Sequence, residues 1–215
     1  ALNTHIDVAV LPYDPEVISL IETESAKGRT IVLATASHDS LAVRIAEYLQ
    51  LFDLVLASNA DRNLSSHRKR DLLVEHFGEG GFDYVGNSRD DLAIWGAARH
   101  AIVVNPEQGV ESRAKAQGNV EQVVRSNVST LRDWRKALRM HQWMKNALIF
   151  VPLLAAHQLG QPQQLLNGVL AFLFFGLCAS SVYVLNDLLD LADDRHHATK
   201  RKRPFACGKL SIKAG

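Results

Sequence analysis

An apolar run from residue 165 to residue 185 constrains the fold of this chain more than any other feature. The run contains no charged side chain, and a helix of this length covers the hydrocarbon core of a bilayer, which is about 30 Å thick. We therefore predict that this run spans a membrane. Its polar residues, Ser180, Ser181 and Tyr183, are expected to face protein rather than lipid.

A second apolar segment, residues 147–159, precedes this run and is short for a membrane span. It contains His157 and Gln158, so we predict a tilted, broken or re-entrant crossing. Basic clusters precede the short segment and follow the long run, and such clusters favour the cytoplasmic side. If both are cytoplasmic, the chain crosses an even number of times, which predicts a helical hairpin. The net charge of +1 averages over unlike halves and does not indicate a nucleic-acid partner.

Carboxylates follow the long apolar run without a break. At about 100° per residue, Asp187, Asp190 and Asp194 of a continuous helix lie within roughly 60° of one another. Like charges on one stripe repel, so a cation is expected, and Mg²⁺ is favoured because it prefers carboxylate and phosphate oxygens. The alternative is a solvated acidic helix end with a basic membrane anchor. The basic residues placed to hold phosphate charge are Lys200, Lys202 and Arg203.

Residues 1–125 have the pattern of a soluble domain in which apolar strands alternate with helices. This alternation is typical of an α/β fold with a parallel sheet of the Rossmann type and helices on its faces. The predicted strands are residues 30–35, 54–57, 84–85 and 101–104. The predicted helices are residues 16–27, 40–51, 69–77 and 91–99.

Polar residues follow two of these predicted strands. Thr35 and Ser37 end one strand, and residues 86–91 form an acidic loop after another. A hydroxyl, backbone amides and an acidic loop suit a phosphate and a metal. The alternative is helix capping, since Ser and Asp are common residues at helix N-termini.

The order of these motifs resembles the haloacid-dehalogenase-like phosphatase superfamily. The matching parts are residues 33–37, Lys69 ahead of a helix, and residues 84–92. The resemblance implies that Thr35 binds phosphate, that Lys69 neutralises it and that Asp91 belongs to a magnesium loop.

Two positions depart from that phosphatase pattern. The family's nucleophile is an aspartate of a D-x-D motif on an earlier strand, and residues 1–125 contain no such motif. Asn87 stands where the family often carries a metal-loop aspartate. We therefore expect the domain to lack its nucleophile strand and to be inactive as a phosphatase by itself.

The second half of the chain resembles the UbiA-type polyprenyl transferase superfamily. The resemblance covers residues 138–153 and 183–208 and includes the N-D-x-x-D-x-x-x-D pattern that begins at Asn186. Within that superfamily, the W-x-K-N and K-R-x-R-P phrases are most similar to the decaprenyl-phosphate phosphoribosyltransferase subgroup. The resemblance implies an all-α transmembrane bundle, of which this chain holds the first two helices.

The resemblance to the transferases also implies a mechanism, which is magnesium-dependent transfer from a diphosphate donor. The implied metal ligands are Asp187, Asp190 and Asp194, and the implied diphosphate-binding residues are Lys200 and Arg203. The implied substrate-binding residues are Lys145, Asn146 and Asn186. The donor is either a prenyl diphosphate, with an aromatic acceptor, or phosphoribosyl diphosphate, with a polyprenyl phosphate as acceptor.

The sequence thus predicts three parts: a phosphatase-like domain at 1–125, a linker at 126–136 and a truncated membrane domain at 137–215. The first hypothesis is a multi-pass transferase of the inner cell membrane, with the phosphatase-like domain and the aspartates in the cytoplasm. The alternative is a membrane-anchored phosphatase of the haloacid-dehalogenase type. The chain is expected to be a fragment that is inactive alone.

Overall fold

The computed structural model describes residues 6–60, 63–126, 129–212 and 215. These residues form two compact units, which are divided after Val128. The first unit alternates strands with helices, and the described residues of the second unit are helical.

The described residues of the first unit form five strands in two parallel sheets. The strands are β1 (Val32–His38), β2 (Leu54–Ser58), β3 (Asp83–Gly86), β4 (His100–Val104) and β5 (Val120–Val124). β1 pairs with β2, and β4 pairs with both β3 and β5, always in parallel. The predicted α/β architecture with parallel strands is therefore confirmed. β5 was not predicted, because its middle residues Glu121 and Gln122 are exposed and interrupt the apolar pattern.

Helices separate these strands along the chain. They are α1 (Pro15–Ala26), α2 (Asp39–Leu49), α3 (Ser66–Phe77), α4 (Leu92–Trp95) and α5 (Val110–Ala116). Asp14 caps α1 by accepting a hydrogen bond from the Glu16 backbone N–H, as is typical of helix starts. The helix predicted at 91–99 is wrong in length. α4 ends at Trp95, and the chain continues in tighter turns to Ala98, with the Ala97 and Ala98 N–H groups bonded three residues back.

Both sheets of the first unit contribute to one hydrophobic core. Leu56 of β2, Leu73 of α3 and Tyr84 of β3 belong to the same buried cluster. Trp95 lies fully buried in it, and its indole N–H donates to the Tyr84 carbonyl at 3.0 Å. Burial of these side chains accounts for the stability of the unit, because apolar burial is the main favourable contribution to folding.

An apolar cavity of about 750 Å³ lies between the two sheets of the first unit. Val32 and Ala34 of β1 line one side, and Tyr84 and Val85 of β3 line another. Among the described residues, β1 pairs on one edge only and β3 pairs on one edge only. β1 and β3, each of which has one unpaired edge among the described residues, therefore border the same cavity.

The second unit is built around one long helix. Its helices are α6 (Leu131–Ala137), α7 (Val151–Ala155), α8 (Pro162–Leu189) and α9 (Leu191–His196). A 3-10 segment, Met140–Phe150, joins α6 to α7, and a short 3-10 turn, Lys200–Lys202, follows α9. The side chains of Thr130 and Asp133 form a reciprocal capping box at the start of α6.

α8 contains the predicted span 165–185 and is the one helix, among the described residues, that is long and apolar enough to cross a membrane. Residues 147–159 do not form a second such helix. They pass from the 3-10 segment into the short α7, and the chain then turns at His157, which has a left-handed φ of 53°. The segment is broken, which was one of the predicted forms, and the described residues do not form a hairpin of two full spans. Its crossing of a membrane stays a prediction.

A row of small residues on α8 lets the 3-10 segment approach closely. A Cβ atom at Gly176 would lie 2.7 Å from Cδ2 of Trp143, and one at Gly168 would lie 3.1 Å from Cε1 of Phe150. Ser180 accepts a hydrogen bond from the Trp143 indole N–H at 3.0 Å and donates to the Leu138 carbonyl at 2.6 Å. Ser180 thus faces protein, as predicted, whereas Ser181 is exposed.

Replacing Gly176 with valine is expected to displace the 3-10 segment from α8, because the new side chain overlaps the Trp143 ring. Overpacking of this kind costs about 1–3 kcal/mol. The check is the thermal midpoint and the Trp fluorescence of the protein in detergent. Gly160→Ala is the control, since a Cβ there meets nothing within 4 Å. Equal midpoints for both variants would contradict this packing.

Candidate functional site

Two carboxylates of the second unit are buried side by side where α8 ends and α9 begins. Asp187 is 3% exposed and Asp194 is 0% exposed. They are seven residues apart, and both contact the same nitrogen of Arg203, so they lie on one side of the chain. Buried charges require compensation, because desolvation penalises the charged form.

Three basic side chains supply that compensation. One nitrogen of Arg203, Nη1, lies 3.1 Å from Asp187 Oδ1 and 2.7 Å from Asp194 Oδ2. Arg139 Nη2 donates to Asp187 Oδ1 at 2.9 Å. Lys200 Nζ lies 3.8 Å from Asp194 Oδ1. The cluster therefore holds more positive than negative charge, which favours an anionic ligand.

Asp190 is separated from the other two carboxylates by a break in the helix. α8 ends at Leu189, α9 begins at Leu191, and Asp190 between them is exposed. The expectation of one continuous helical stripe is therefore wrong. Asp190 has φ −86° and ψ 9°, which is outside helical geometry, so the direction of its side chain no longer follows the helical wheel. The described residues contain no group of three or more His, Cys, Asp or Glu arranged to hold a metal.

One atom of the cluster has no hydrogen bond. Asp194 Oδ1 is buried, and no donor lies within hydrogen-bonding distance of it among the described residues. A buried oxygen in this state costs about 1–3 kcal/mol, so it marks a place where a donor or cation would be favourable. This observation is compatible with a carboxylate that can ligate Mg²⁺.

The other predicted residues of this half lie apart from the pair. Asn186 is exposed in the last turn of α8, where its carbonyl accepts from the Asp190 N–H at 2.9 Å. Lys145 is exposed and Asn146 is half-buried, both in the 3-10 segment. Their roles in substrate binding stay predictions.

Arg139 is a member of the cluster that the sequence did not single out. It follows α6 with a left-handed φ of 49°, a conformation that costs energy for a residue with a side chain. Its guanidinium lies 4.5 Å from the ring centroid of Tyr183 and pairs with Asp187. The available signal was its position in a basic run, which also fits a topogenic charge.

The first unit has its own buried polar cluster. The Lys69 ammonium donates to the Tyr84 hydroxyl at 3.1 Å, and that hydroxyl donates to Asp91 Oδ1 at 3.0 Å. Asp91 Oδ2 accepts from the N–H groups of Asn87 and Ser88 and from the Ser88 hydroxyl at 2.9–3.0 Å. Burial, together with the Asp91 carboxylate, raises the pKa of Tyr84. The phenol therefore stays protonated and donates.

Asp91 thus acts as a cap in this arrangement, with both oxygens hydrogen-bonded inside the protein. Its predicted role as a metal ligand stays a prediction. The expectation that Thr35 ends its strand is wrong, because β1 continues to His38 and Thr35 lies in its middle. The Thr35 Oγ1 accepts a hydrogen bond from the Ser37 N–H at 3.0 Å. The structure brings Lys69 and Asp91 within 3.9 Å of each other.

Comparison with known proteins finds similarity in both halves, although no family model matches. The chain is 39% identical over 211 residues to the protein y4nM of Sinorhizobium fredii, covering 98% of this chain and 41% of that protein. A stretch of 77 residues, 34% of the chain, is 46% identical to decaprenyl-phosphate phosphoribosyltransferase of Mycobacterium tuberculosis. This stretch covers 26% of the transferase. The chain therefore spans less than half the length of these relatives.

Among solved structures, the chain is similar to a probable phosphoserine phosphatase from Vibrio cholerae. The TM-score is 0.47 at 19% identity, and the match covers 55% of this chain and 40% of that one.

Proposed function

We propose that this chain is part of a membrane-bound, Mg²⁺-dependent transferase of the UbiA type. The observation that carries the proposal is the buried pair of Asp187 and Asp194 at the end of α8, with three basic side chains around it. The similarity of one third of the chain to a phosphoribosyltransferase supports it.

The charge of the cluster fits a diphosphate donor. Arg139, Lys200 and Arg203 outnumber the two buried carboxylates, so the site can neutralise an anion as negative charge develops on it. We propose phosphoribosyl diphosphate as donor and a polyprenyl phosphate as acceptor, with a prenyl diphosphate and an aromatic acceptor as the alternative pair.

The donor set fits Mg²⁺ because it consists of carboxylates and includes a buried oxygen without a hydrogen bond. Asp187 and Asp194 would hold the ion, joined by Asp190. When bound, Mg²⁺ would supply further neutralisation of the leaving diphosphate. The protein's own part is to fix the two carboxylates on one side of the chain and to hold the basic side chains beside them.

The exposed surface of α8 supports a membrane location. Phe174, Phe175 and Leu177 are more than half exposed, and an apolar surface of this kind is favourable in lipid and costly in water. We propose a multi-pass protein of the inner membrane whose first unit and aspartate cluster lie in the cytoplasm.

The first unit favours a second function, that of a phosphatase. The cavity lies beside β1 and β3, each of which has one unpaired edge among the described residues. We propose that the missing nucleophile strand occupies this cavity as a further parallel strand. The completed domain could then remove the phosphate from the phosphoribosyl lipid. If the aspartate cluster is inactive, the remaining function is that of a membrane-anchored phosphatase.

The experiment is an assay of the full-length protein in nanodiscs with Mg²⁺. Labelled phosphoribosyl diphosphate with polyprenyl phosphate is compared with labelled prenyl diphosphate and aromatic acceptors, and phosphate release is followed in parallel. Sugar label in the lipid supports the phosphoribosyl reaction, and prenylated acceptor supports the alternative pair. Phosphate release without either transfer would contradict the transferase and favour the phosphatase.

A further inference from the structure

A single nitrogen of Arg203 stands between the two buried carboxylates. Nη1 is within hydrogen-bonding distance of both Asp187 Oδ1 and Asp194 Oδ2, at 3.1 and 2.7 Å. Because both carboxylates contact the same positively charged group, they are close enough together to share one cation. The guanidinium therefore takes the place at which a shared metal ion would bind.

The backbone of Arg203 is fixed, whereas its side chain is partly in solvent. Its N–H donates to the Lys200 carbonyl at 2.9 Å, and its carbonyl accepts from the Cys207 N–H at 3.0 Å. Pro204 and Phe205, which follow, are buried. The Arg203 side chain is 27% exposed. A long side chain on a fixed backbone can exchange one partner for another by rotation about its own bonds.

The other arginine of the cluster is held more firmly. Arg139 contacts Asp187 at 2.9 Å and also lies over the Tyr183 ring at 4.5 Å, so a second interaction keeps it in place. Among the described residues, Asp194 has no such arginine of its own. Apart from Arg203, its near cation is Lys200 at 3.8 Å, which is beyond hydrogen-bonding distance.

We propose that Arg203 is an exchangeable counter-ion. Without metal, its guanidinium neutralises Asp187 and Asp194. When the metal binds, Arg203 leaves the carboxylates and pairs with the phosphates of the donor. This inference rests on the proposed function, in which the two aspartates are metal ligands, and it adds a second state of the same residue.

The exchange predicts opposite effects on two affinities. A neutral side chain at position 203 no longer competes for the carboxylates, so metal binding becomes tighter. The same change removes a positive charge from the donor's phosphates, so donor binding becomes weaker. A residue that merely supports the fold of the site would weaken both.

The test is a Mn²⁺ titration of the full-length protein in detergent, read by electron paramagnetic resonance. Arg203→Gln should bind Mn²⁺ about tenfold more tightly than the wild type, as expected from the loss of one competing charged hydrogen-bond partner. It should also bind phosphoribosyl diphosphate about tenfold more weakly in the presence of Mn²⁺. Arg201→Gln is the matched control: it is exposed, makes no ion pair among the described residues, and should change neither affinity.

The outcomes separate this inference from the proposed function. If neither the wild type nor the variants bind Mn²⁺, the proposed metal site is wrong, and the proposed exchange is then wrong as well. If the wild type binds Mn²⁺ and Arg203→Gln binds it equally or more weakly, the exchange alone is wrong. If Arg203→Gln does not fold, Arg203→Met replaces it. Methionine keeps an unbranched side chain but has no charge to compete for the carboxylates, so tighter Mn²⁺ binding is again expected, and no gain would overturn the exchange.

Discussion

Replacing Asp187 with asparagine in the full-length protein is expected to lower the transfer rate at least about 100-fold, the usual loss when one group that stabilises developing charge is removed. Asparagine keeps the size of the side chain and one acceptor oxygen. It removes the charge that pairs with Arg139 and Arg203. The measurement is the initial rate of label transfer to lipid at saturating Mg²⁺.

The matched control for that prediction is Asp193→Asn. Asp193 lies in α9, next to the buried Asp194, but is exposed. It should retain most of the activity, because its charge is solvated. The thermal midpoint of each variant shows whether the fold is kept. An Asp187→Asn protein that folds and transfers at the wild-type rate would remove Asp187 from the active site.

Replacing Asp91 with alanine is expected to destabilise the first unit by about 3–5 kcal/mol, the cost of leaving a buried charge without its partner. Lys69 would stay buried beside Tyr84 without a carboxylate, and the Asn87 and Ser88 amides would lose their acceptor. The measurement is the amide hydrogen exchange of peptides from residues 83–104 at increasing urea concentration.

Asp90→Ala is the control for Asp91, because Asp90 is its exposed neighbour and should cost less than about 0.5 kcal/mol. The comparison also distinguishes the two roles of Asp91. If Asp91 served only as a metal ligand, its removal from the metal-free protein would lower the stability of the first unit only slightly. A small effect of Asp91→Ala would therefore refute the capping role and support the metal loop.

Some of this architecture could be predicted because it depends on local pattern. The uninterrupted apolar run fixes α8, because a charge-free run of this length is typical of a membrane-spanning helix. Four of the strands follow from short apolar runs between helices. The proximity of Asp187 and Asp194 agrees with the shared stripe expected from their spacing, although the helix breaks between them.

The rest depends on contacts between residues distant in sequence. Arg139 meets Asp187 across 48 positions, and no local pattern distinguishes such an arginine from a charge at a membrane surface. The break at Asp190 and the capping role of Asp91 likewise come from the surrounding packing. Helix propensity alone predicts neither the break nor the cap, because an aspartate suits a helix end, a cap or a metal site equally well.

The close fit between the small residues of α8 and the 3-10 segment has a consequence for the order of assembly. In a bilayer, a 3-10 segment followed by a short helix and a left-handed residue leaves backbone groups that lipid cannot hydrate. α8 forms its backbone hydrogen bonds within the helix and does not depend on a neighbouring segment for them. Membrane insertion would therefore start with α8. Residues 140–155 would enter later, when Gly168, Gly176 and Ser180 already offer a surface to receive them.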